Sequence, residues 1–184
     1  MLTLMALLTA LVAVLSYFGG FIKIGSLASI SLTLIPVVLG ASLYGPFAGA
    51  WLGAVSGIIF FMTPDAMFWF GLSIPGTVIT VIVKGALAGL CAGLVYNLLK
   101  NANKYLAVIV SAIVCPVVNT GIFLLGCLVF FMDTVNAGAA AESMSTFGYL
   151  LIFFVGLNFV FELAANIILS PALYRLLDIR KKKV

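Results

Sequence analysis

Runs of about twenty apolar residues recur along this chain, and they decide what it can become. Twenty residues of helix match the roughly 30 Å hydrocarbon core of a bilayer. A β-barrel would show short segments in which apolar and polar residues alternate, and none is visible. The composition agrees. Of 184 residues, 65% are hydrophobic and 8% charged, whereas a soluble domain carries about 25% charge. With a mean hydropathy of +1.34 the chain cannot cover itself in water. An all-α integral membrane protein is expected.

Proline, glycine and charge divide the chain into six transmembrane helices. The first runs from about Leu2 to Phe18; it lacks the basic stretch and the small-residue cleavage site of a secretion signal. After the loop "GGFIKIGSLAS" a second helix reaches about Tyr44, bent or interrupted near Pro36. "YGP" turns the chain into a third, about Pro46 to Met62. "TPDAMFWFGLSIPG" reads as a loop, and Pro75 suits the first turn of a fourth helix ending near Leu99. "KNANK" leads to a fifth, about Tyr105 to Phe131. "MDTVNAGAAAES" reads as another loop, before a sixth helix from about Met144 to Leu169. Residues 1–184 thus form one domain, with a basic tail from about residue 172.

Charge then orients the bundle. Lys100, Lys104, Arg175, Arg180, Lys181, Lys182 and Lys183 fall on one side, while Lys23 faces the other with Asp65, Asp133 and Glu142. The positive-inside rule puts both termini in the cytoplasm. The net charge of +4 is a topology signal; nucleic-acid binding would need a folded basic domain. The "RKKK" end is expected near anionic headgroups.

Several chemistries are excluded. There is no histidine, which removes the usual metal sites and histidine-based catalysis. No "GxxxxGK[ST]" occurs, so ATP is not hydrolysed here by a phosphate-cradling loop. Paired carboxylates are missing, and no catalytic residue is assigned. Cys91, Cys115 and Cys127 lie in apolar runs and read as small hydrophobes.

Two glycine stripes with four-residue spacing stand out: Gly45, Gly49, Gly53 and Gly57, then Gly85, Gly89 and Gly93. In lipid such stripes let helices approach closely, and structural packing is the expected role. Ala6, Ala10 and Ala13 make a smooth stripe on the first helix, where a partner helix could dock.

The polar residues within the spans demand more. In "LNFVFELAANI" Asn158 and Asn166 lie four residues either side of Glu162, so the three share a helical stripe. Lys84 sits about 13 Å below the outer end of the fourth helix. Charges at such depth cost a few kcal/mol on insertion scales, so both should face the bundle interior or a cavity. Two roles fit: orienting a polar ligand together with Asn119, Asn158 and Asn166, or a structural ion pair with a snorkelling lysine. The segments "FIKIGSLASI" and "MFWFG" are apolar although they face water. They fit a lid in which Phe68, Trp69 and Phe70 stack on a flat ligand, and equally an interfacial aromatic belt.

Taken together, the alanine pattern "ALLTA", "SLTLIPVVLGASLYGPFAGAWLGAVSG", "VIVKGALAGLCAGLVYNLL" and "CPVVNTGIF" resemble the substrate-binding S components of energy-coupling factor (ECF) transporters, the vitamin-uptake ABC importers of prokaryotes. The resemblance covers nearly the whole chain. It implies an S-component-like bundle in a prokaryotic plasma membrane, capturing a small water-soluble micronutrient at its outer face. It also implies a transmembrane coupling (T) protein and two ATPase subunits as partners. Those partners hydrolyse the ATP, and this chain binds no cofactor of its own. Ala6 and Ala10 match the family's AxxxA contact with the coupling protein. The family's ligand position maps onto Trp69, Lys84, Asn119, Phe123 and Asn158, with Glu162 toward the deep end.

The signature residues of thiamine, riboflavin or biotin members are not found. The polar set suits a nucleoside-like ligand, such as a deoxyadenosine derivative, or a pantothenate-like acid neutralised by Lys84; the first is preferred. A second reading from another class is an independent secondary carrier that uses Glu162 as a proton site.

Overall fold

The computed structural model describes residues 2–19 and 32–181, and at 153–155, 157, 180 and 181 the backbone alone. The loop "FIKIGSLASI", with Lys23, and the last residues of the basic end lie outside the described residues. The elements are α1 (Leu2–Gly19), α2 (Leu34–Tyr44), α3 (Pro46–Phe60), α4 (Pro64–Leu72), α5 (Ile74–Leu99), α6 (Lys104–Phe130), α7 (Met132–Ala141) and α8 (Thr146–Tyr149). A π-helical turn, Leu150–Val155, then leads into α9 (Gly156–Lys181). The described chain is all-helical.

Among the described residues, four helices are long and apolar enough to cross a membrane: α1, α5, α6 and the stretch Asn158–Ile179 of α9. The pair α3 and α4 qualifies together but is bent by 84° at its break. Helix α2, with 11 residues, is apolar but shorter.

Four boundaries differ from expectation, each for a local reason. Pro36 lies in the first turn of α2, where backbone N–H groups have no intrahelical acceptor, so it marks a start and not a bend. Pro64 likewise opens α4 within the expected loop "TPDAMFWFG". The expected loop "MDTVNAGAAAES" contains α7, for which alanine supplies the helix propensity. The sixth expected helix is broken at the π-helical turn and at Gly156, whose φ of 23° is left-handed. It also runs on to Lys181, past Pro171. A proline inside a helix strands the carbonyl four residues back. Here that carbonyl belongs to Ile167, and Ser170 Oγ donates to it at 2.7 Å. Ser170 is buried, so its hydroxyl replaces the missing backbone donor where water cannot.

The frame is the antiparallel pair α3 and α5, the most extensive contact in the bundle. A Cβ at Gly49 would fall on the Gly89 carbonyl, one at Gly53 on the Gly85 carbonyl, and one at Gly93 on the Pro46 backbone. The two glycine stripes therefore mesh backbone to backbone, as small-residue packing in lipid requires. Gly45 stands apart from its stripe: its φ of 98° makes the α2–α3 turn. Helix α1 rests on α2 and α3 through buried Leu8 and Val12, and Ser16 Oγ donates to Thr33 Oγ1 at 3.3 Å.

One end of the bundle carries the α5–α6 connection with Lys100 and Lys104. Tyr174 meets Tyr105 there with ring centroids 5.3 Å apart, which brings Arg175 to the same end. Asp65, Asp133 and Glu142 occupy the opposite end, on α4 and around α7.

Candidate functional site

At the acidic end the polypeptide builds an aromatic cluster. Thr77, buried on α5, donates through Oγ1 to the main-chain carbonyls of Trp69 at 2.8 Å and Ser73 at 2.7 Å. Ser73 also caps α5, its hydroxyl accepting from the Gly76 N–H at 3.2 Å. These bonds fix the α4–α5 corner and with it the place of Trp69. The indole then packs edge-to-face on Phe123 at 5.4 Å and on Phe131 at 5.2 Å. Cys127, Phe131, Val135 and Leu150 are buried beneath.

Lys84 reaches the same cluster. Gly126 on α6 presents no side chain to Thr80 on α5, and a Cβ there would collide with it. The two helices therefore close at this level. One turn further into the bundle, Lys84 and Phe123 meet. The Lys84 ammonium stands 4.7 Å from the centroid of Phe123 and 5.9 Å from that of Phe60. A cation over ring faces at such distances gains about 0.5–2 kcal/mol, more as water is excluded.

Helix α9 supplies the other wall. Glu162 is 2% exposed and Asn166 fully buried. Asn158 Nδ2 donates to Glu162 Oε1 at 3.5 Å, a long bond, and Asn166 Nδ2 donates to the Glu162 main-chain oxygen at 2.8 Å. The ladder is longer than its first three rungs suggest: Ser170, Tyr174 and Asp178 continue it at the same four-residue spacing. Glu162 lies within electrostatic range of both Lys84 and Cys115. A buried carboxylate and a nearby ammonium offset part of each other's desolvation.

Of the residues singled out in the sequence, Phe123 thus meets both Trp69 and Lys84, and Asn158 joins Glu162. Asn119 is partly buried one turn before Phe123, on the same face of α6. Phe68, Trp69 and Phe70 do not share one surface, because successive helical residues diverge by about 100°. Phe70 turns to Phe61 at 5.5 Å, and Phe68 is 50% exposed while its ring edge meets Trp69. Thr77, Phe60 and Phe131 were not singled out. Thr77 follows Ser73 by four and Trp69 by eight, a spacing that puts its hydroxyl over the preceding turn. Phe60 and Phe131 look in the sequence like ordinary ends of apolar runs.

Ala6 and Ala10 lie far from this cluster, on the half of α1 nearer the basic end. Both are exposed, with Leu7 and Leu11 beside them.

A family model for the ECF transporter substrate-specific component matches residues 1–174, and the chain belongs to that family. It is the substrate-specific, transport-related membrane subunit of such a transporter, a type of subunit that associates with coupling and ATPase subunits. No curated protein and no solved structure matches the chain.

Proposed function

We propose that this subunit captures a small water-soluble micronutrient at the acidic, outward end of the bundle and hands it to an ATP-driven importer. In this reading α1, α2, α3, α5, α6 and α9 are six spans of one domain, and both termini lie in the cytoplasm of a prokaryotic cell. Trp69 and Lys84 form one side of the binding site, Asn119 and Phe123 on one face of α6 form a second, and Asn158 and Glu162 on α9 form the third. The observation that carries the reading is the convergence of a cation over aromatic rings with a polar ladder on the facing helix, at the end remote from Ala6 and Ala10. A vitamin or a nucleoside-like compound, such as a deoxyadenosine derivative, suits that combination. ATP hydrolysis falls to two partner subunits, the chain itself binding no cofactor, and the exposed Ala6–Ala10 face meets the coupling protein.

Uptake into proteoliposomes tests this. The chain assembled with coupling and ATPase subunits should import its substrate only with ATP, and Ala6→Trp should abolish uptake while leaving affinity in detergent unchanged. Uptake by the chain alone, indifferent to ATP and dissipated by a protonophore, would instead establish the carrier reading through Glu162.

A further inference from the structure

The wall formed by α9 has a chemical polarity that sorts the two ligand classes. Glu162 offers Asn158 a carboxylate oxygen and offers Asn166 a main-chain carbonyl; neither can donate when the carboxyl is ionised. Asn166 must therefore turn its NH2 toward Glu162, and so must Asn158 facing a carboxylate, as both do. For Asn166 this orientation is forced by the hydrogen-bonding chemistry, because a main-chain carbonyl only accepts; for Asn158 it follows for an ionised Glu162. The consequence is that both amide oxygens point away from Glu162. Asn158 Oδ1 and Asn166 Oδ1 are buried, and among the described residues no donor reaches either of them. A buried acceptor without a donor costs free energy, and it persists where something else supplies the donor.

Resting on the receptor reading above, we infer that the ligand brings that donor: a planar heterocycle with an exocyclic amino group, its N–H directed at Asn158 Oδ1 and its ring lodged beside Trp69 and Phe123. The Glu162 carboxylate, one turn deeper, adds negative potential that favours the same donor edge. A carboxylic acid seated on Lys84 leaves the α9 acceptors unanswered, and its own charge faces Glu162. The site is thus built against anions on one wall, and the cation of Lys84 is already engaged with two aromatic rings. Asn166 Oδ1, two turns deeper than Asn158, is the second acceptor along the same stripe.

Thermal unfolding of the purified chain in detergent tests this with adenosine and cytidine, their N6,N6-dimethyl and N4,N4-dimethyl counterparts, nicotinate and pantothenate. The expected result is stabilisation by an amino nucleoside and binding at least about tenfold weaker for its dimethylated form, the value of a hydrogen bond to a buried acceptor. Asn158→Leu should erase that difference. Equal binding of the dimethylated compound overturns the inference. So does stabilisation by nicotinate or pantothenate with neither nucleoside active, although the receptor reading then stands. If no compound acts, the empty Asn158→Leu protein decides. Unfolding at or above the wild-type temperature upholds an oxygen that lacks its donor in the empty state, and a clear fall shows it satisfied within the fold and overturns the inference. Failure of the receptor reading itself would show separately, as failure to assemble with the coupling subunits or to support ATP-driven uptake.

Discussion

Replacing Gly53 by alanine tests the frame on which the site is hung. In a solvent-exposed helix the change would be favourable, because leaving glycine gains up to about 1 kcal/mol of helix propensity. Here the new Cβ would fall on the Gly85 carbonyl oxygen and close to its carbonyl carbon. That obstacle is the backbone of a second helix and has no rotamer with which to withdraw. Restoring ordinary contact means prising α3 from α5, and Gly49 with Gly89, one turn along the same seam, would be opened with them. Added volume in a packed contact costs about 1–3 kcal/mol. The steric cost exceeds the propensity gain, for a net loss of about 1–2 kcal/mol. In a chain of this size that lowers the unfolding temperature by about 2–8 °C. The control is Gly121→Ala: also inside a helix, but with nothing within 4 Å of its Cβ. It should leave the unfolding temperature unchanged or raise it. The measurement is thermal unfolding of both variants in the same detergent. A Gly53→Ala protein as stable as the Gly121→Ala protein would refute the close-packed seam.

Three further outcomes are expected. Ser170→Ala should cost about 1–3 kcal/mol by stranding the Ile167 carbonyl. Adding Pro171→Ala, which restores a backbone donor, should recover most of the loss; strict additivity in unfolding temperature would count against the repair. Thr77→Val, nearly isosteric, should remove the shorter of the two hydrogen bonds to the Trp69 carbonyl, leaving the Ser73 N–H, and shift the indole emission in a Trp51→Phe background, whereas an unchanged spectrum would mean that the corner is held by other contacts. Glu162→Gln should weaken ligand binding by at least about tenfold. The loss of binding should exceed any loss of stability in the empty protein, because Gln keeps a side-chain oxygen that can accept from Asn158 Nδ2 and Asn166 holds the residue 162 main-chain oxygen. A Gln variant that fails to fold would make the carboxylate structural.

The long helices were legible in the sequence because an apolar run of membrane length has few alternatives. Expectation and structure agree within a residue or so for α1, α5 and α6. What escaped were decisions made at the single-residue level. Pro64 and Pro75 look identical as punctuation, yet each opens a helix, so the stretch between them is helical and not loop. Pro171 reads as a stop until Ser170 is seen to cover the exposed carbonyl, a repair that depends on one rotamer. The break at Gly156 had no signal beyond a glycine among apolar residues. In the site, Asn158 and Glu162 were readable as one stripe because they share a helix. That Lys84 would stand over Phe123 was not, because it depends on the α5–α6 register that Thr80 and Gly126 set.

The seam between α3 and α5 also bears on how such a subunit could change its cargo. Where backbone touches backbone, each position admits essentially one residue type, and drift there is paid for in lost stability. The site proposed above is lined in large part by side chains on α6 and α9, reached from helices whose places are already fixed. If Asn119 and Asn158 line the binding site as proposed, they can be exchanged with little consequence for the frame, and new specificities are accessible by a few substitutions on two helices. The α1 face proposed to meet the coupling protein need not change with them, so on that reading a receptor for a different molecule could evolve from this one and still be served by the same motor.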